Sequence, residues 1–324
     1  MPAPLSRYAK FAWGVLGFNV LVILWGAFVR ATGSGAGCGS HWPLCNGEVL
    51  PRDPAVATII EFSHRLSSGL ALILIAALVI GAWRSFPRGH RVRLGAGLSG
   101  FFIVTEALIG AGLVLLKMVA YNTSVARGFW VAGHLVNTFL LVAVLALTAW
   151  WASGGGAPRL RAQGRLRTTL ALALLGVLVL GVSGAVTALG DTLFPATSLA
   201  EAEAQTFSPT AHIFIRLRIW HPTLAVAVGI CLLLVAVSAV SLRPSATNRK
   251  LATGLLALYV AQLITGLANV WFLAPVGLQI VHLVFSDLIW IALVLLSASV
   301  LAEPQPERVP ARAGSGQAAR AHSA

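Results

Sequence analysis

Eight mainly apolar runs dominate this chain, at about 11–29, 62–83, 96–116, 128–150, 168–188, 219–241, 251–272 and 279–301. A helix needs roughly 20 such residues to cross a bilayer. The pattern therefore predicts an all-α polytopic membrane protein with eight transmembrane helices. Composition agrees: 10% of the 324 residues are charged, against about 25% in soluble domains. The mean hydropathy is +0.84. The net charge of +13 does not argue for nucleic acid, because no soluble segment is long enough to form such a module and basic residues beside apolar spans mark cytoplasmic loops. Three cysteines, Cys38, Cys45 and Cys231, are too few for a disulfide scaffold or a thiolate zinc site. The first run is too long for a typical signal-peptide core and has no clear cleavage site, so it is expected to be retained.

The connecting segments divide by charge. One set carries Arg7 and Lys10; Arg84, Arg88, Arg91 and Arg93; Arg159, Arg161, Arg165 and Arg167; Arg243, Arg249 and Lys250; and the tail arginines. The other set holds few basic residues and carries Glu48, Asp53, Asp191, Glu201 and Glu203. The positive-inside rule then puts both termini in the cytoplasm of a multi-pass cell-membrane protein. Two long outer loops, about 30–59 and 189–216, follow helices one and five. The stretch Gly154-Gly155-Gly156-Ala157-Pro158 reads as a flexible linker. The organisation expected is a four-helix bundle over 1–153, a cytoplasmic linker over 154–167, a second bundle over 168–301 and a disordered cytoplasmic tail over 302–324.

The two bundles read as parallel repeats. Gly26-Ala27-Phe28-Val29 echoes Gly184-Ala185-Val186, and His64 and His221 open helices two and six. Glu106-Ala107-Leu108-Ile109-Gly110 aligns with Gln262-Leu263-Ile264-Thr265-Gly266, and Gly133-His134-Leu135-Val136 with Val281-His282-Leu283-Val284. A four-helix unit returns the chain to its starting side, so two copies are pseudo-symmetric about an axis along the membrane normal.

Four of the eight histidines, His64, His134, His221 and His282, lie within the runs. Each is one or two turns from the outer end of its helix, at about 1.5 Å rise per residue, so all four share one depth. A lone intramembrane histidine is as readily a structural residue bonded to a carbonyl. Four at one depth, repeated across two halves, point instead to two haem-sized sites held between facing imidazoles.

Charged neighbours separate the halves. Glu61 stands three residues before His64 and Arg218 three before His221, and such spacings share a helix face. Arg218 suits a haem propionate, or alternatively snorkels to headgroups; Arg65 carries the same two readings. Glu61 cannot attract a propionate. It is either a carboxylate favoured by the helix N-terminus or a group that takes a proton or positions a water beside the macrocycle. Cys38 and Cys45 share an outer loop where a disulfide can persist; their spacing permits a bridge without requiring one, as a clip or as a redox pair. Cys231 reads as a small apolar filler.

The segments Gly26 to Gly35, Cys38 to Gly47 with Trp42-Pro43-Leu44-Cys45-Asn46-Gly47, and Glu61-Phe62-Ser63-His64-Arg65, together with His134, His221 and His282, resemble the haem A synthase family. The likeness spans all eight helices and omits the termini and the 189–216 loop. It implies oxidation of the C8 methyl of haem O to the formyl group of haem A, for terminal oxidases. It further implies resident haem b on His221 and His282, substrate haem between His64 and His134, catalysis involving Glu61, and a Cys38–Cys45 disulfide. Relatives with a second cysteine pair in the later outer loop differ from this chain, which has none there. Expected partners are haem O handed over by a haem O synthase, membrane lipid and an electron acceptor, with no nucleic acid; a homo-oligomer is compatible with the sequence. The competing readings are a non-enzymatic dihaem b-type electron carrier, which would hold haems at two depths, and a repeat-built transporter, which would hold a polar cavity at the midplane.

Overall fold

Eight helices among the described residues are long and apolar enough to cross a membrane, as the runs predict. The computed structural model describes residues 4–158 and 164–302. Arg159 and Arg161 of the linker, and the tail from Glu303 for which disorder is expected, lie outside the described residues. In chain order the elements are α1 (Arg7–Ala31), α2 (Val56–Ser85), α3 (Arg91–Leu115), α4 (Val125–Ala152), α5 (Gly164–Leu193), α6 (Leu199–Phe207), α7 (Ile213–Arg216), α8 (Trp220–Leu242), α9 (Ala246–Trp271) and α10 (Val276–Leu301). No strand occurs among the described residues, only two isolated bridges.

Most helices outrun the apolar stretch that predicts them. Apolar length measures the part that suits lipid, whereas the backbone ladder continues until a cap stops it. Thus α1 opens at Arg7, where Ser6 Oγ accepts the Ala9 N–H at 3.1 Å. Ser124 and Ser245 cap α4 and α9 in the same way. Basic residues such as Arg7, Arg84, Arg91, Arg165 and Arg249 consequently lie on the end turns of helices, at the end of the bundle opposite the two long loops.

The expected 189–216 loop is partly helical. α5 continues to Leu193, and α6 follows, with Ser198 Oγ accepting the Glu201 N–H at 3.2 Å while Glu201 Oε2 accepts the Thr197 N–H at 2.7 Å. These reciprocal bonds satisfy first-turn donors, so a short helix forms where hydropathy alone sees a loop. α7, a 3-10 turn at Leu217–Ile219 and α8 make one continuous span. Pro222 explains the tightening, because it has no N–H for the Arg218 carbonyl one turn earlier.

Within the first half α1 packs on α2 and α4, and α3 packs on the same two; within the second α5 packs on α8 and α10, and α9 on the same two. The halves meet through α4 and α10, flanked by α1 and α5. There Trp290 stacks on Phe139 with ring centroids 5.2 Å apart, and its indole N–H donates to the Phe139 carbonyl at 2.7 Å. Leu145, Val142, Leu293 and Leu296 fill the rest of this seam and are fully buried. Outward faces present Leu21, Ile73, Phe129 and Leu267, as lipid contact requires.

One polar tie crosses the seam near the long-loop end. Arg30 of α1 donates from Nη1 to the Ala188 carbonyl and to Thr192 Oγ1 of α5, both at 2.8 Å, and from Nη2 to Gln279 Oε1 of α10 at 2.9 Å.

Candidate functional site

The packing order leaves α2 facing α4 across the first half, and α8 facing α10 across the second. These are the helices that carry His64, His134, His221 and His282, all toward the long-loop end of their spans. Glycines on the intervening helices make room for the rings. A Cβ at Gly26 of α1 would lie 2.9 Å from His64 Cε1, one at Gly184 of α5 would lie 2.9 Å from His221 Cε1, and one at Gly266 of α9 would lie 3.3 Å from His282 Cε1. Gly26 and Gly184 stand out in the sequence only as matching marks; their role is a close approach to imidazole that any side chain would obstruct.

His221 and His282 face one another with ring centroids 6.3 Å apart and planes at 72°. A metal–imidazole bond of about 2 Å puts each ring centre about 3 Å from the metal, so axial ligands on opposite sides stand about 6 Å apart. The observed gap would leave room for a metal between His221 and His282. Among the described residues no three His, Cys, Asp or Glu side chains converge as metal ligands. Two imidazoles alone suit a metal that brings its own equatorial ligands, as in a porphyrin. Three of the four histidines, His64, His134 and His282, also carry a buried Nδ1 with no hydrogen bond of good geometry.

What surrounds each imidazole differs. Ser183 Oγ lies 2.9 Å from His221 Nδ1, and Gln262 Nε2 lies 3.2 Å from His282 Nε2. In the first half Glu106 Oε1 lies 3.0 Å from His134 Nδ1. That carboxylate is otherwise held: Thr138 Oγ1 donates to its Oε1, and Asn137 Nδ2 donates to its Oε2 at 2.6 Å. Asn137 is held in turn by the Thr105 hydroxyl at 2.6 Å and by the Phe102 carbonyl at 3.0 Å. Sequence reasoning treats Glu106 only as a partner of Gln262 in the repeat. The missed signal is the carboxylate itself, since ionisable groups within spans are rare and mark function.

Glu61 occupies a different setting. It is 4% exposed, its Oε2 accepts the Cys38 N–H at 2.8 Å, and its Oε1 accepts from Arg65 Nη2 at 2.5 Å and Nε at 3.1 Å. Arg65, expected at a propionate or headgroup, donates Nη1 to the His41 and Leu44 carbonyls at 2.7 Å each. Cys38 and Cys45 form a disulfide and are fully buried. The Glu61–Arg65 pair thus clasps the disulfide loop to α2. Thr58 adds a hydroxyl bond to the Gly37 carbonyl at 2.7 Å. An ionised carboxylate has about four acceptor sites, so these contacts do not exhaust Glu61.

Arg218 likewise has protein partners, Asp191 Oδ1 at 2.7 Å and the Phe194 carbonyl at 3.3 Å. Its aspartate lies on α5 and is invisible to an argument about spacing along α8. Outside the four, His90 and His212 cap α3 and α7 by accepting backbone N–H groups on Nδ1. Cys231 is a free thiol, half-buried against the core.

Comparison with known proteins follows the same geography. A family model described as COX15-CtaA, cytochrome oxidase assembly protein, matches residues 9–294 and so takes in all four histidines, both glutamates and the disulfide loop. This chain belongs to the COX15-CtaA family. Among curated relatives, a "Protoheme IX farnesyltransferase" of Thermus thermophilus is 55% identical over 296 residues, covering 91% of this chain and 49% of that protein. The "Heme A synthase" of Halalkalibacterium halodurans is 40% identical over 127 residues, covering 39% of this chain and 42% of that protein. The "Heme A synthase" of Bacillus mycoides is 44% identical over 112 residues, covering 34% of this chain and 36% of that protein. The chain thus spans about half the length of the Thermus relative it matches, and the other two matches cover less still. For a COX15-CtaA protein, the eight-helix membrane fold and the disulfide stand as expected.

Proposed function

We propose that this chain is a haem A synthase that oxidises the C8 methyl of haem O to a formyl group, with the reacting haem between His64 and His134 and a resident haem b on His221 and His282. The observation that carries this reading is the contrast between two similarly framed histidine pairs: only the first has a carboxylate, Glu106, against one of its imidazoles. On this reading the halves are parallel repeats, the disulfide loop lies on the outer face and both termini are cytoplasmic, in line with the basic end turns of the helices.

Conversion of a methyl to a formyl group adds one oxygen from water and releases four protons and four electrons. Haem b, when bound, supplies a one-electron relay toward an acceptor. His64 and His134 would orient the substrate ring, and Glu61 would accept protons at the mouth of the site. The buried disulfide loop would exclude bulk water there. Arg65 fixes the Glu61 carboxylate in position for that task.

The name of the Thermus relative suggests a second reading, prenyl transfer to haem. Such chemistry needs a site for a diphosphate and its divalent cation, normally built from clustered carboxylates. Among the described residues no such cluster exists. We assign farnesyl transfer to the part of that relative outside the match, and infer that haem O reaches this chain from a farnesyl-transfer enzyme. Expression with a source of haem O, followed by pigment extraction, decides the matter. Haem A in the extract supports the synthase; haem O recovered unchanged sinks it. Haem O formed from haem b and farnesyl diphosphate would favour the second reading.

A further inference from the structure

The carboxylate of Glu106 is built into the first half with more care than a solvating group needs. Its two oxygens are anchored by Thr138 and Asn137, Asn137 is anchored by Thr105 and Phe102, and the free side of Oε1 meets His134 Nδ1 at 3.0 Å. His134 Nδ1 is buried and has no hydrogen bond of good geometry among the described residues, so the Glu106 carboxylate at 3.0 Å is its polar neighbour. The second half offers no anion in either equivalent place. His221 Nδ1 meets a serine hydroxyl, and the residue aligned with Glu106 is the neutral Gln262, which touches His282 on Nε2 rather than Nδ1.

A carboxylate that accepts an imidazole Nδ1–H does two things to a ligand histidine. It fixes the tautomer that leaves Nε2 free for the metal, and it raises the electron donation of the ring. Stronger donation favours the oxidised iron over the reduced one, so the haem on such a histidine has the lower reduction potential. Serine and glutamine, being neutral, do this weakly.

We propose that Glu106 is a positioning residue that lies against His134 Nδ1 and sets the haem of the first half at a lower reduction potential than the haem of the second. This rests on the assignment of His64 and His134 as ligands under the proposed function. The two potentials then have different jobs: electrons leaving substrate in the first half run downhill to the haem of the second. Thr138, Asn137 and Thr105 hold the carboxylate in place, and Gln262 marks the site where the same device is absent.

The test uses the full chain in detergent, loaded with ferric haem b in both halves, and follows reduction by optical redox titration and by the low-spin ferric resonance. His134→Ala identifies which wave belongs to the first half. Glu106→Gln, which copies Gln262, is expected to move that wave to higher potential and change its resonance, leaving the other wave in place. Glu106→Asp, which keeps the anion, is expected to restore part of the shift. If His134→Ala removes one wave but Glu106→Gln moves nothing, the role of Glu106 is overturned while the ligand assignment survives. If His134→Ala leaves both waves intact, the ligand assignment falls and this inference falls with it. Should Glu106→Gln fail to fold, the Glu106→Asp titration decides alone: a first wave that does not move when the shorter side chain draws the carboxylate back from His134 counts against the proposal.

Discussion

Glu106 stands 3.0 Å from His134 Nδ1, and no bond along its own helix holds it there; Thr138 and Asn137 of α4 do. Removing one of these donors leaves a half-buried carboxylate oxygen short of a partner. Asn137→Leu is expected to cost about 1–3 kcal/mol, read as a lower thermal midpoint in detergent. An unchanged midpoint would mean that water or another donor takes over.

The clasp between α2 and the disulfide loop makes a sharper prediction. Arg65 and Glu61 have side chains 13% and 5% exposed, so deleting the arginine strands a charge away from water. Arg65→Ala should destabilise by about 3–5 kcal/mol and open the loop to protease. The double variant Arg65→Ala, Glu61→Gln should recover much of the loss, because no uncompensated charge remains. Equal losses in the single and double variants would count against the pairing.

Space beside the histidines can be tested without changing a histidine. Gly26→Val should displace the His64 ring and alter only the pigment of the first half, while Gly184→Val should displace His221 and alter only that of the second. Absorption spectra of the two variants, compared with His64→Ala and His221→Ala, check the assignment. A change in both pigments from either glycine would show that the pockets are not separate.

Asp287 presents the opposite case to Glu106. It is fully buried, and neither carboxylate oxygen has a hydrogen-bond partner among the described residues. Burial of an unpartnered polar group costs about 1–3 kcal/mol, so Asp287→Leu should raise the thermal midpoint. A lower midpoint would reveal a partner, such as an internal water, that the aspartate holds.

Apolar length and loop charge made the eight helices legible, and the histidine spacing made four residues of the site stand out before any coordinates. What hydropathy could not convey was pairing between distant segments. Arg218 sits three residues before His221 in the sequence, yet its partner Asp191 lies on α5. Arg65 adjoins His64, yet it serves a loop more than 20 residues earlier, at His41 and Leu44. Glu106 was visible as a carboxylate within a span, but its meaning came from α4, which the chain reaches only after a turn through Lys117 and Ala120, both at positive φ. Helix extent was underestimated because caps such as Ser6 and Ser198 act on the backbone and leave no hydropathy signal.

The Arg30 tie bears on the order in which the protein is made. Its acceptors are Ala188, Thr192 and Gln279, all of which leave the ribosome long after Arg30 itself. During synthesis, the first four helices must wait with an unsatisfied guanidinium at their rim until α5 and α10 arrive. A chain released before Gln279 is therefore expected to hold α1 loosely, detectable as faster labelling of a cysteine placed at Thr32 than in the complete chain. The Arg30 contacts of the first half are complete only once the last helix is in place.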